Sequence, residues 1–400
     1  MIARVKAISR RACRCSQGES RLIHLACVTT LALLGTALPS PGQWSSLLNG
    51  SQTEPVTADI AFPLKKAWEL KAKSHWGFRS SPAIHDGTVY IGSMSSTFYA
   101  VDAASGAIHW EKQVGDRIEF SSPAADANGV YVGCEDGNLY AFDHGGRERW
   151  KTPTGAKIES SPIIHGDLVL VGNNAGTVLA LNRAHGSITW KATCDGPVFS
   201  RPTVANDTVY VGTEGFEGGT LYALALRDGD ERFTFRCGHI PGHDKARGGI
   251  YSTVLHANGR VIFGSMDGNL YCLNAAGGSE IWRYTLEKGI AGSPAMANGV
   301  IVVGAQDRHW HGIDAATGAP KWRTATDRFY PNLRSPVIVN DMAIVQYEYK
   351  VVGLSLSNGE QVGHFDLTAE DGPADGLAVA VAGNRIYTCT RFKVLCLATE

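Results

Sequence analysis

Adjacent cysteines, CxxC pairs and zinc-finger spacings are all missing from this 400-residue sequence, although it holds nine cysteines. A structural zinc site of finger type is therefore excluded. There is no G-x-S-x-G on a strand-to-helix turn, which removes hydrolases of the nucleophile-elbow class. Helix-forming stretches are absent, and so is any basic helix. With a formal net charge of only −1, the chain has no electrostatic footprint for nucleic acid.

What the sequence has instead is repetition. Ser80-Ser81-Pro82, then Thr88-Val89-Tyr90-Ile91-Gly92, then Tyr99-Ala100-Val101-Asp102 running to Gly106 and Trp110, form a unit that recurs from Ser122-Pro123, Ser161-Pro162, Arg201-Pro202, Ser252-Thr253, Ser293-Pro294 and Ser335-Pro336. The steps are 41, 39, 40, 51, 41 and 42 residues, and the long one marks an insertion at 237–249. A period of this size built from four short β-patterned runs is that of a propeller blade, a twisted sheet that buries its faces only against its neighbours. The 46 glycines and 44% hydrophobic residues suit one turn-rich ring with a large core.

An eighth unit is split between the two ends of the chain. It starts at Gly376, runs through Arg385-Ile386-Tyr387-Thr388 and Lys393-Val394-Leu395-Cys396-Leu397, and stops at Glu400 one strand short. Lys66-Ala67-Trp68-Glu69-Leu70 reads as the missing strand. The expected fold is all-β: an eight-bladed β-propeller of four-stranded antiparallel blades, spanning 61–400 and closed by an N-terminal strand that completes the last blade. Such a closed ring is expected as a monomer.

Ahead of the ring, residues 1–37 read as an export signal. A basic n-region precedes the apolar run Leu22–Leu34, and small residues at Gly35 and Ala37 suit cleavage after Ala37. The alternative is an uncleaved anchor giving membrane association through the same apolar segment. Residues 38–60, rich in Pro, Ser, Thr and Gly, read as a linker. Removing residues 1–37 leaves a mildly acidic body of about −6 and six cysteines. Of these, Cys389 and Cys396 lie opposite one another if Phe392-Lys393 is a hairpin turn, which would allow a cross-strand disulfide. The other reading gives Cys396 the small buried slot held by Ala100, Ala141, Ala180 and Cys272 in other blades.

The run Ala100-x-Asp102-x-x-x-Gly106-x-x-x-Trp110 resembles the tryptophan-docking motif of the pyrroloquinoline-quinone-like (PQQ-like) propeller repeats. Ala180, Asn182, Gly186 and Trp190 keep its spacing, as do Asn274, Gly278 and Trp282, and Asp314, Gly318 and Trp322. Blade two shortens it to Trp150, blade four ends on Phe233, and blade seven has Gly363 where the indole belongs. The glycine permits positive φ, and the indole is delivered against the neighbouring blade. Trp68, Trp110, Trp150, Trp190, Phe233, Trp282 and Trp322 are therefore expected to be inter-blade docking residues, not ligand contacts.

Recognition is then expected from the loops. Those joining the second and third strands, and those leading into each blade, open on one face. They carry Trp76, Phe78 and Arg79 before blade one, Arg117 and Phe120 before blade two, and Phe199 and Arg201 before blade four. Arg247 lies in the insertion, His309 and Trp310 at a turn of blade six, and Phe329, Tyr330 and Arg334 before blade seven. Aromatic and arginine side chains combine large apolar area with rigid polar tips, the chemistry of binding hot spots. Some of the phenylalanines are alternatively plugs of the axial channel.

The resemblance implies two function classes. One is a quinoprotein dehydrogenase, oxidising an alcohol or sugar with pyrroloquinoline quinone and calcium. It requires a carboxylate base, an oxygen ligand set for calcium and rigid stacking about the quinone. In the alcohol dehydrogenases of this type a disulfide between adjacent cysteines supplies one face of that stack, and this sequence has none. The other is a non-enzymatic, exported scaffold resembling the outer-membrane assembly factors of BamB type, with no catalytic residue, cofactor or metal and a protein partner in the cell envelope, periplasmic or at the cell surface. Those factors are lipoproteins, whereas Cys27 here stands at the start of the apolar run, not at its end. The scaffold is the expected class.

Overall fold

The structure, a computed structural model, describes residues 55–400 except 74, 216–217, 240–247 and 327–333. Among the described residues there is no helix, and eight four-stranded antiparallel sheets follow one another around the ring. Blade one is typical, with strands Ala83–His85, Thr88–Gly92, Thr97–Asp102 and Ile108–Gln113 paired in chain order. Its second and third strands are buried along most of their length, and its outer strand is mostly exposed. The apolar residues on both faces of the middle strands require that arrangement, because each blade lies between two others. The core is consequently a series of inter-blade layers. Tyr90, Phe98 and Ala100 of blade one, for example, pack with Val130, Val132 and Tyr140 of blade two.

Blade eight closes the ring as the split repeat predicts. Leu64–Lys71 pairs antiparallel with Lys393–Thr399, from Leu64 opposite Thr399 to Lys71 opposite Lys393. Lys393–Thr399 in turn pairs with Arg385–Cys389. The two cysteines are not direct partners. Cys389 faces Val394 and Cys396 faces Tyr387, because the strands are joined through Thr390–Lys393. In that turn the Thr390 hydroxyl accepts the N–H groups of Phe392 and Lys393, and a two-residue turn at Phe392-Lys393 is not formed. Both thiols are free and buried, so the disulfide that the hairpin would have allowed is not formed, and the small-residue reading of Cys396 describes the site.

The docking residues join each blade to the next. The indole N–H groups of Trp68, Trp110, Trp150, Trp190 and Trp322 donate to the carbonyls of Ala103, His144, Arg183, Leu226 and Leu356 at 2.8–3.0 Å. Trp150 shows why the turn must be glycine. Gly186 has φ 73°, and a Cβ placed there would come within 2.6 Å of the ring. Phe233 lies against Gly278 in the same way without a polar contact, and Trp282 lies against Gly318 with its N–H buried and unbonded.

At Gly363 the pattern inverts. Blade eight has no turn between its last two strands, since the chain ends occupy that place, so blade seven has nothing to dock an indole against. Phe62, arriving just before the closing strand, fills the space: a Cβ on Gly363 would lie 2.4 Å from it, and one on Gly353 2.6 Å. The preceding residues belong to the ring as well. Val56 N–H donates to the Ile338 carbonyl and Asn340 Nδ2 to that of Ala58, both at 2.8 Å. Ala58 and Ile60, within the stretch expected to be linker, are buried with Val339, Ile344 and Leu397.

Two polar devices complete the ring. Around the axis, the Ser81 N–H donates to Ser122 Oγ (2.8 Å), Ser122 to Ser161 (2.9 Å), Thr253 to Ser293 (2.8 Å) and Ser293 to Ser335 (3.0 Å), while Ala378 donates back to Ser81 (2.8 Å). At the closure, buried Asp371 accepts from Lys393 (2.9 Å) and Lys66 (3.0 Å), and Glu69 accepts from the same two lysines. Burial opposes ionisation of Asp371. The Thr368 N–H and the two ammonium groups outweigh it and hold the carboxyl well below its ordinary value.

Trp150→Ala should cost ~3–5 kcal/mol of unfolding free energy in chemical denaturation, and Phe62→Ala ~1–3 kcal/mol. Because the folded pKa of Asp371 is depressed, its contribution is present above the ordinary Asp range and is lost as pH falls below it. Asp371→Asn should therefore be less stable than the parent at pH 7, with the gap closing below about pH 4. A gap independent of pH would show that the carboxylate charge is not what holds the seam.

Candidate functional site

The loop face is stitched twice over. The lead-in loops of blades two to six bond both to the turn of their own blade and to that of the blade before, as with Ile118 N–H to the Ser93 carbonyl (3.1 Å) and Glu135 N–H to that of Arg117 (3.0 Å), then Ile158 to Cys134 (3.1 Å) and Asn174 to Lys157 (2.9 Å). The turns are braced from below where Asp136 and Asp267 accept the hydroxyls of Tyr140 and Tyr271 at 2.5 and 2.6 Å, and Asp307 meets His311 at 3.1 Å. These loops are held as part of the fold, which favours binding by a preformed surface.

Within them, one position in each of blades two to six is a buried apolar plug, Ile118, Ile158, Val198, Ile250 and Ile290, with Phe78 as the counterpart in blade one. Phe78 packs on Tyr99 at 6.0 Å and is removed from the expected contact surface for that reason. Trp310 is likewise a core residue, fully buried in the layer between blades six and seven.

The arginines are also committed to the fold. Arg79 pairs with Glu119 of the next blade and approaches Asp375 of blade eight at 3.6 Å. Arg117 and Lys157 both hold buried Glu135, at 2.8 and 2.6 Å. Arg334 donates to the Ala374 carbonyl, and burial lowers its guanidinium pKa. Arg201 is 5% exposed on the axial ring, at the position held by Ser81, Ser122, Ser161, Thr253, Ser293 and Ser335 in other blades, and burial lowers it to about 9. Arg79, Arg117 and Lys157 of this face are thus balanced by carboxylates, and Arg79, Arg201 and Arg334 are inter-blade or axial elements instead of free recognition groups. Burial and the neighbouring Glu135 push the Glu119 carboxyl up, against the pull of Arg79.

A recess of about 400 Å³ remains at the channel mouth. Its floor is the ring of Ser81, Ser122, Ser161, Thr253, Ser293 and Ser335, and its walls include Phe120, Phe199, Tyr251, Met266 and Leu377. Phe199 stacks on Tyr251 with centroids 5.7 Å apart. Glu159 also lines the recess. Burial raises its pKa, and Asn174 donates to it at 2.9 Å. Tyr251, Met266 and Glu159 escaped sequence reasoning, although their places in the repeat, beside the axial serine or in the turn above it, could have identified them. Trp76 is exposed, and His309 is half-buried beside Asp307 and Arg323. Arg247, Phe329 and Tyr330 lie outside the described residues. At the base of the insertion, Glu214–Gly215 pairs with Gly248–Gly249 as a small extra ladder.

Fold and repeat together define a PQQ-like propeller. The family model described as outer membrane protein assembly factor BamB matches residues 63–160, 135–243 and 236–399, and the chain belongs to that family. Over 176 residues it is 30% identical to the outer membrane protein assembly factor BamB of Burkholderia pseudomallei, with 44% of each chain covered. It spans about half the length of the curated relatives it matches. The crystal structure of BamB from Moraxella catarrhalis superposes with a TM-score of 0.70 at 19% identity, over 84% of this chain and all of that one. A europium-containing methanol dehydrogenase superposes with 0.72 at 14% identity, over 90% and 98%. Likeness at these identities shows the fold alone.

Arg79→Ala removes the partner of Glu119 and leaves Asp375 with Arg391, and it should lower the unfolding free energy by ~1–3 kcal/mol, with Arg79→Lys recovering part of the loss. An unchanged denaturation midpoint for Arg79→Ala would return this guanidinium to the list of free recognition groups.

Proposed function

We propose that this propeller is a non-catalytic, exported scaffold of the cell envelope that holds a protein partner on its loop face and serves in the assembly of outer membrane proteins. The observation that carries the reading is the preformed loop face of a BamB-family ring. Its loops are bonded to both neighbouring blades, and at its centre is a recess walled by Phe120, Phe199 and Tyr251. Such a surface loses little conformational entropy on binding, and its aromatic side chains supply apolar area.

A quinoprotein dehydrogenase on the same ring would hold pyrroloquinoline quinone and calcium near the axis. Among the described residues no three His, Cys, Asp or Glu side chains gather as a metal-holding group. Glu135 is taken by Arg117 and Lys157, and Glu159 is bonded to Asn174. The donor set does not fit the quinone and its calcium, and no catalytic step is derived for this chain.

Photo-crosslinking residues placed at Phe120 and Phe199 in the intact cell envelope should give adducts with one protein of the outer-membrane assembly apparatus, while the same probes at Ile188 and Ile281 on the outer rim should not. Equal labelling from both sets would remove the loop face as the contact. Titration of the chain with pyrroloquinoline quinone and calcium should show no saturable uptake, and one-to-one binding followed by alcohol oxidation would overturn the scaffold reading.

A further inference from the structure

Among the described residues, the large exposed apolar side chains fall into two groups. Ile108, Ile188, Ile281 and Val362 are scattered over the outer strands of four blades, as single surface aliphatics ordinarily are. The three aromatics, Trp76 (53% exposed), Tyr349 (45%) and Phe392 (36%), all lie on the loop face of consecutive blades one, seven and eight. The loops carrying them are continuous across the ring closure. Leu367 N–H donates to the Tyr349 carbonyl (2.6 Å), Arg391 N–H to that of Pro373 (3.0 Å), and Ala72 N–H to that of Phe392 (2.8 Å). Both rings have contacts of their own: Trp76 lies against His75 with centroids 4.8 Å apart and the planes tilted by 39°, and Phe392 covers Gly372, where a Cβ would lie 2.6 Å from the ring.

Beside Phe392 is an open groove lined by Lys71, Lys73, His75, Glu370 and Lys393. Charges here are sorted by depth. Lys71, Lys73 and Arg391 have exposed side chains (76, 54 and 49%), Lys73 being bonded to the exposed Glu111 at 2.5 Å, while the carboxylates of Asp371, Asp375 and Glu69 lie lower (1, 22 and 28%). A chain laid along the groove meets Lys71 and the aromatic rings before it meets the lower carboxylates, with Glu370 as the exposed acid lining the groove and Glu111 sharing Lys73.

We propose that this closure sector, with Trp76, Tyr349 and Phe392 as aromatic contacts and Lys71 and Lys73 as charge contacts, is the docking site for an acidic segment of a protein partner that carries an aromatic side chain. The inference rests on the scaffold reading and gives it a location and a chemistry. Exposed indole and phenyl rings on braced loops are the groups that contribute most when a partner covers them, and exposed lysines set the sign of what approaches. The exposed Glu370 argues for a discrete acidic segment over an anionic lipid layer, which would repel it.

The test uses the purified full-length chain and a short labelled peptide with a central Phe flanked by Asp and Glu, followed by fluorescence anisotropy. Binding should be saturable and should weaken as salt rises. Trp76→Ala with Phe392→Ala should reduce it on the order of 10-fold or more, and Lys71→Glu with Lys73→Glu should do the same, with each variant still showing the parent's β-sheet circular dichroism and a cooperative unfolding transition above the assay temperature. Undiminished binding to both double variants, or equal binding of a peptide with Lys in place of the acids, would overturn the proposal. So would displacement of the peptide by vesicles of anionic phospholipid. If crosslinking from Phe120 and Phe199 survives in a variant set that leaves peptide binding untouched, the scaffold reading stands and only the closure site falls.

Discussion

Each blade of this ring exposes two apolar faces that it cannot bury alone, and the contact that resolves this is an aromatic ring laid over a glycine turn of the next blade. Seven such contacts run in one direction, from Trp68 on Gly106 to Trp322 on Gly359. The glycine serves twice, allowing the positive φ of the turn and leaving room for the ring where a Cβ would collide. In five of the seven the indole N–H also donates to a carbonyl in the same loop, so apolar burial and polar satisfaction come from one side chain. The orientation of each blade, and with it the position of its loops, follows from this contact.

The eighth contact cannot be made in the same way, because the place of its acceptor turn is taken by the chain ends. Gly363 and Phe62 show the compensation. The docking ring is contributed from the other side of the interface, and the residues before it run along blade seven before the closing strand begins. The buried Asp371 with Lys66, Lys393 and Glu69 then fastens the closing strand to the lead-in loop of its own blade. Closure is therefore built from a strand pairing, an aromatic replacement and a charge network, and all three place residues of the first and last units in contact.

This construction bears on function through rigidity. The lead-in loops and the turns are bonded to two blades each, and arginines such as Arg79 and Arg334 are spent on joining blades. Among the described residues of this face, those not committed in this way include Phe120, Phe199 and Tyr251 around the axial recess and the exposed rings at the closure. The described side chains at the channel mouth form hydroxyl and aromatic surfaces with paired charges around them, and among the described residues no three His, Cys, Asp or Glu side chains gather.

The repeat period, the all-β class, the blade count and the closing strand were legible in the sequence because each follows from local pattern: a Ser-Pro lead-in, alternating apolar strands, and an Asp-Gly-Trp spacing that needs no knowledge of distant residues. The docking role of Trp68, Trp110 and Trp150 was legible for the same reason. The register of the last hairpin was not, since it depends on how Thr390 caps a four-residue turn, and this separated Cys389 from Cys396. Nor could sequence tell a plug from a contact at Phe78, or a free guanidinium from a committed one at Arg79, because burial and ion pairing there are set by residues 40 and more positions away in neighbouring blades. The sequence alone determined how the units are built and that they close. Only the tertiary structure decided which side chains of the loop face remain available, because the partners that consume them come from other blades.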